Sequence, residues 1–248
     1  MTRWKLTIEY DGTHFCGWQK QTNAVSVQQT LEEAIEKFAG ERAALLVAGR
    51  TDTGVHARAQ VAHVDLARET SGAVVRDAVN HYVRPHKISI LSAEQVDETF
   101  HARFSALGRS YSYRIVNRRA PLALECDYAW HVKKPLDVEA MQKAADSLLG
   151  THDFSTFRAQ NCQAKSPIRT LDQLDVTQDG EVITIKTAAR SFLYHQVRNM
   201  VGSLSFVGTG YWSLEHFRKA FAACDRTKGG LNAPAQGLCF WSVTYPQK

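Results

Sequence analysis

Trp4, Leu6, Ile8 and Tyr10 alternate with Arg3, Lys5, Thr7 and Glu9, the two-residue period of a strand with one buried face. The period then changes. Val27, Leu31, Ala34, Ile35 and Phe38 recur at helical spacing behind Ser26, which stands three residues before Gln29 as in a capping box, and Gly40 is placed to end the helix. Residues 44–48, ALLVA, and 59–66, AQVAHVDL, read as two further strands. Val74, Val75, Ala78, Val79 and Tyr82 predict a second helix that stops before Pro85, and KISIL at 87–91 opens a fourth strand. The order so far is βαββαβ.

The same grammar returns more loosely in the second half. Tyr111, Tyr113 and Ile115 alternate; Asp137 caps a helix carrying Val138, Met141, Ala145 and Leu148, with Gly150 as its stop. Two strands around QDG at 178–180 predict a hairpin, helices follow near 195–206 and 214–223, and CFWSVTY closes the chain as a strand. Helices on one side of antiparallel sheets favour an α+β protein of two ferredoxin-like, RRM-like halves, 1–104 and 105–248, sharing a mixed, mainly antiparallel sheet. No low-complexity linker separates the halves, so tight packing is expected.

Composition narrows the class. The 248 residues are 44% hydrophobic and 22% charged, as in a globular protein. No apolar run reaches the roughly 18 residues of a membrane span, and MTRWKLTIEYDG has no apolar core of a secretory signal. The five cysteines are scattered without a CxxC pair, against both a disulfide framework and a zinc site. A cytoplasmic protein is expected. Net charge is +5 and the pI about 9.0, which makes a polyanion a reasonable partner. Residues 100–121 hold five arginines (Arg103, Arg109, Arg114, Arg118, Arg119), four aromatic rings (Phe100, Phe104, Tyr111, Tyr113) and no carboxylate. Such interleaving suits looped or single-stranded RNA; a strand with a solvated arginine face has the same composition.

The chemistry concentrates at residues 49–57, GRTDTGVHA, between the second and third predicted strands. Gly49 and Gly54 have the spacing of a phosphate loop, yet Val55 and His56 stand where Lys and Ser or Thr are required, and a strand follows where a helix is needed. Both departures argue against nucleotide hydrolysis. An ordinary Asp-Gly turn and a site of catalysis by one carboxylate remain.

The nonapeptide resembles the signature loop of the TruA family of tRNA pseudouridine synthases. EYDGTHFCGWQ at 9–19, FHARFSA at 100–106, RSYSYRI at 109–115, FLYHQVRNMVGSL at 192–204 and APAQGL at 233–238 resemble the same family, in order. No position carrying the family's chemistry departs from its pattern. The resemblance implies a pseudouridine synthase fold and conversion of uridine to pseudouridine in the anticodon arm of tRNA, at nucleotides 38, 39 and 40. It implies no cofactor, nucleotide or metal, and a homodimer away from membranes. By resemblance, Asp52 is the nucleophile; attack at C1′ or C6, or formation of a glycal, all fit one carboxylate. Arg198 pairs with that carboxylate, Arg50 enters the space left by the flipped base, Tyr111 stacks on the uracil and Leu238 lines the base pocket. Arg103, Arg109, Arg118, Arg119, Lys165 and Arg169 are candidates for phosphate contacts. The loop's glycines are expected to allow close approach of RNA. His56 and His195 are assigned no catalytic role. The alternative from another class is a noncatalytic RNA-binding or RNA-folding protein on the same scaffold.

Overall fold

The computed structural model describes residues 1–22 and 24–246. The chain forms two compact units: Met1–Arg109 together with the segment from Cys239, and Ser110–Leu238. The fold is α+β with mainly antiparallel pairing.

In the first unit, β1 (Thr2–Tyr10) lies between β4 (Ile88–Val96) and β3 (His56–Leu66), antiparallel to both, and β10 (Leu238–Thr244) runs parallel to β3 through Cys239 opposite His56 and Phe240 opposite Ala57. Trp4, Leu6, Ile8 and Tyr10 are buried, as the alternation requires. The helix α1 (Val27–Ala39) buries Val27, Leu31, Ala34, Ile35 and Phe38. Its Ser26 accepts from the Gln29 amide, and Gly40, at φ 75°, takes the left-handed cap that a side chain disfavours. The second helix, α2 (Gly72–Tyr82), is tied to β4 because the Asn80 amide both donates to and accepts from the backbone of Ile90, at 2.9 and 2.7 Å.

In the second unit, β5 (Gly108–Asn117), β9 (Val182–Ala189), β8 (Ile168–Asp179) and β7 (Gly150–Asp153) are neighbours in that order, with β6 (Trp130–Val132) parallel to β5. The helices are α3 (Val138–Asp146), α4 (Gln196–Gly208) and α5 (Leu214–Ala222). Nearly every side chain of α4 is buried, polar Gln196, Asn199, Ser203 and Ser205 included. Glycine lets neighbours come close to it: a Cβ on Gly202 would fall 1.8 Å from the Leu231 carbonyl oxygen, and one on Gly230 would fall 2.8 Å from the Ser203 Cα.

Four expectations change. The closing strand, expected in the second half, packs in the first unit. The strand expected over 44–48 shrinks to β2 (Leu46–Val47), paired with His63 and Ala62. Gly150 does not end α3, which stops at Asp146; at φ 90° it opens β7 instead. Two short strands, β6 and β7, have no counterpart in the sequence reading, because three or four residues do not establish a period. Among the described residues, no helix is long and apolar enough to cross a membrane.

Candidate active site

Residues 49–57 leave β2 and enter β3, whose first residues are His56 and Ala57. Each end of the turn is anchored from below. The buried Gln60 amide donates to the Gly49 carbonyl at 2.7 Å. Thr51 is buried, its hydroxyl 2.7 Å from that of Tyr10 and its carbonyl accepting from the Trp18 amide at 3.1 Å. Burial pushes the Tyr10 phenol far above its ordinary value, against the pull of its Thr51 hydrogen bond, so it stays neutral. The turn closes through Val55, whose amide donates to the Asp52 carbonyl at 3.1 Å, and through Gly54 at φ 78°. That positive φ is a structural demand on Gly54.

The segment 9–19 forms the floor under this turn. Gly17, at φ 94°, lies so close that a Cβ there would stand 2.6 Å from the Thr51 carbonyl oxygen and 3.0 Å from the Asp52 carbonyl carbon. A Cβ on Gly12 would stand 2.1 Å from the Val55 carbonyl oxygen. The Asp52 backbone therefore rests on main chain, where no side chain can intervene. His56 belongs to this brace: it is buried, its Nδ1 3.0 Å from the Gly12 amide and 3.2 Å from Asp11. Asp52 is half-buried, whereas Arg50 is exposed.

Within the second unit, Tyr111 is half-buried and meets Phe192 edge-on, with ring centroids 5.1 Å apart. Its neighbour Tyr113 is wholly buried, its hydroxyl donating to the Pro234 carbonyl at 2.7 Å. Burial raises that phenol strongly, with the nearby Arg198 charge opposing. Arg198 projects from the first turn of α4. Its Nε donates to the Ala233 carbonyl at 2.8 Å, and the Ala233 amide returns a bond to the Arg198 carbonyl at 3.1 Å. This two-way clip fixes the arginine against 233–238. There a Cβ on Gly237 would overlap the Tyr113 ring at 2.6 Å, and Leu238 is buried as β10 begins. His195, ahead of α4, adopts a left-handed backbone at φ 60°.

The phosphate candidates divide by what their head groups touch. Arg109 directs its guanidinium to the carbonyls of Ala48, Arg103 and Ala106, pinning 103–106 to the end of β2. Arg118 reaches the carbonyls of Ala120 and Pro121 and the Glu181 carboxylate, and Arg169 reaches the carbonyls of Ser166 and Ile168. Arg103, Arg119 and Lys165 are exposed.

Gly12, Gly17, Tyr10 and Gln60 hold the loop without having been singled out from the sequence. The available signal was a glycine flanked by Cys16 and Trp18 outside any predicted element, a mark of close backbone approach.

The sequence profile of a family described as tRNA pseudouridine synthase matches residues 6–105 and 144–246. Full-length relatives are similar throughout. The tRNA pseudouridine synthase A of Paramagnetospirillum magneticum is 59% identical over 245 residues, covering 99% of this chain and 96% of the relative. Proteins of the same name from Beijerinckia indica and Rhodospirillum centenum are each 56% identical, covering 100% and 99% of this chain and 95% and 100% of theirs.

Proposed function

Because the chain belongs to the tRNA pseudouridine synthase family, we propose that it isomerises uridine to pseudouridine at nucleotides 38, 39 and 40 in the anticodon stem-loop of tRNA. The observation that carries this reading is Asp52 in GRTDTGVHA, its backbone seated on Gly17 in a turn tied at both ends. A carboxylate that attacks a sugar or base must be held still, and main-chain packing holds the backbone that carries this one.

The reaction balances without a cofactor. The bond from N1 to C1′ breaks, a bond from C5 to C1′ forms, C5 loses a proton and N1 gains one. In this reading Asp52 supplies the nucleophile and Arg198 pairs with it. Tyr111 stacks on the uracil, Leu238 lines the base pocket, and Arg50 fills the stack from which the base is flipped at a cost of roughly a few kcal/mol. The exposed Arg103, Arg119 and Lys165 carry phosphate contacts; Arg109, Arg118 and Arg169 join them through donors beyond those committed to carbonyls. The protein works as a cytoplasmic homodimer, since one protomer offers a small basic surface for a whole tRNA. Light scattering of the purified protein that returned a monomer mass would remove the dimer.

The deciding experiment uses a tRNA transcript tritiated at uridine C5. The protein is expected to release tritium, and Asp52→Ala to lose at least about 10³-fold in rate while retaining tRNA binding. A wild-type protein that binds the transcript and releases no tritium is instead the noncatalytic RNA-binding protein.

A further inference from the structure

A cavity of about 480 Å³ opens in the second unit, lined by Ala159, Gln160, Asn161, Tyr194, His195, Arg226 and Thr227. Its volume is in the ordinary range for ligand sites, and it opens broadly to solvent. Its walls carry no carboxylate: Asp225, beside Arg226, turns its side chain onto the Thr227 amide at 2.8 Å. None of Asp52, Tyr111 and Arg198 lines it.

Three features give the cavity a chemical character. Tyr194 is 45% exposed, and its ring lies 3.9 Å from that of His195, an aromatic platform open to solvent. That platform depends on the left-handed backbone of His195, a conformation few non-glycine residues adopt and one that gathers at functional sites. Arg226 supplies a cation. Its Nη1 donates to the Gly230 carbonyl and its Nη2 to Asn199 Oδ1, both at 3.0 Å. Both acceptors are neutral, so the bonds fix the guanidinium without cancelling its charge. Gln160 and Asn161 add amides that both donate and accept, as the edge of a base requires. The turn bearing them is held to the platform, the Ala159 amide donating to the Tyr194 carbonyl at 3.1 Å.

We propose that this cavity is a second nucleotide subsite, taking an unpaired nucleotide of the tRNA other than the uridine that is isomerised. Its base stacks on Tyr194, its edge meets Gln160 and Asn161, and its phosphate faces Arg226. Aromatic rings, amides and a fixed cation without a carboxylate make up the chemistry by which looped RNA is recognised. The inference rests on tRNA being the substrate.

Its test is the kinetics of tritium release from the C5-labelled tRNA transcript. Tyr194→Ala is expected to raise KM about tenfold while changing kcat far less, and Tyr194→Trp to keep KM within about twofold, because stacking on an aromatic face is what is lost. The Gln160→Ala, Asn161→Ala double variant is expected to raise KM about three- to fivefold. If Tyr194→Ala lowers the melting temperature sharply, the double variant, which alters only exposed amides, decides. An active parent whose KM is unmoved by these changes overturns the subsite. So does a KM unmoved while free nucleoside monophosphates quench in a Tyr194-dependent way, which would mark a site for free nucleotides. A parent that releases no tritium removes the proposed function instead; filter binding of the same transcript to Tyr194→Ala, unchanged from the parent, would then remove the subsite separately.

Discussion

The turn around Asp52 and the first turn of α4 around Arg198 each hold one charged group, but by different means. Under Asp52 the support is main chain against main chain: Gly17 and Gly12 lie closer to residues 51–55 than any side chain permits. Around Arg198 the support is a side chain gripping main chain, Nε on the Ala233 carbonyl with the Ala233 amide answering. Backbone packing bars displacement toward the floor beneath the turn, which suits the part proposed for Asp52, attack at bond-forming distance. A hydrogen-bonded clip fixes direction more than position, which suits the part proposed for Arg198, a cation that has only to face a carboxylate.

That contrast breaks if the glycine floor proves dispensable. Gly17→Ala places a Cβ 2.6 Å from the Thr51 carbonyl oxygen and strains a φ of 94°. Loss of tritium release by roughly 10- to 100-fold is expected, since displacement of a reacting group by about 1 Å has that effect. A stability loss of about 1–3 kcal/mol should accompany it. Gly40 supplies the control, because its φ of 75° is also positive but nothing lies within 4 Å of its added Cβ. Gly40→Ala should lower the melting temperature slightly, by about 1 kcal/mol of stability, and leave the rate alone. Equal rate losses in the two variants would show that loop strain rather than contact with the Asp52 peptide is responsible.

Arg198→Lys probes the clip. Lysine keeps the charge and loses the planar fork with its Nε, so the bond to Ala233 cannot be reproduced. A fall in kcat of roughly tenfold is expected, smaller than for Gly17→Ala if direction matters less than position. Single-turnover rates on the C5-labelled transcript measure it; a lysine variant more impaired than Gly17→Ala would reverse the ranking of the two supports.

What was legible beforehand follows the range of the interaction. Helices α1 and α3 were readable because a period and a cap are local, Ser26 and Asp137 each accepting the expected amide, and α2 was readable from its period alone. The loop itself was readable as a motif. Its floor was not, since Gly17 and Asp52 meet only after β1 and β3 have paired. For the same reason the bonds of Arg109, a phosphate candidate by composition, to carbonyls 61 and 6 residues away were not legible. The membership of β10 in the first unit depends on a parallel pairing with β3 across some 180 residues, which no window of sequence contains.

Two histidines in the first unit extend the contrast to pH. His63 is buried and its Nδ1 accepts from the Ala102 amide at 3.1 Å, so it must be neutral there. Burial first, then the charges of Arg3 and His101, lower its pKa to about 4 from an ordinary 6.5. The unfolded chain therefore takes up a proton near pH 6.5 that the folded chain refuses until about pH 4. Stability is full above the upper value and declines as the pH falls through that interval, by about 1–2 kcal/mol at roughly pH 5. Thermal unfolding at about pH 7.5 and about pH 5 measures it. His63→Gln, which presents an amide oxygen to Ala102, should flatten the difference; an unchanged difference would place the acid sensitivity elsewhere.

The smallest effects concern the basic residues, where the contrast becomes one between cations committed to the fold and cations turned to solvent. Arg119 and Lys165 are exposed, whereas Arg109 holds three backbone carbonyls. Replacing an exposed cation that meets a phosphate releases about one counterion fewer on binding, so the slope of log affinity against log salt should lessen by about one for each. For Arg119→Ala and Lys165→Ala the loss of tRNA affinity at physiological salt should be only about two- to fivefold, with an unchanged melting temperature. Arg109→Ala should chiefly lower the melting temperature, because three carbonyls lose their donor, and lessen the salt slope by less than a full unit. If Arg109→Ala instead reduces the slope by a full unit and leaves stability intact, its carbonyl bonds are exchanged for phosphate when RNA arrives, and the division between structural and RNA-facing cations is drawn in the wrong place.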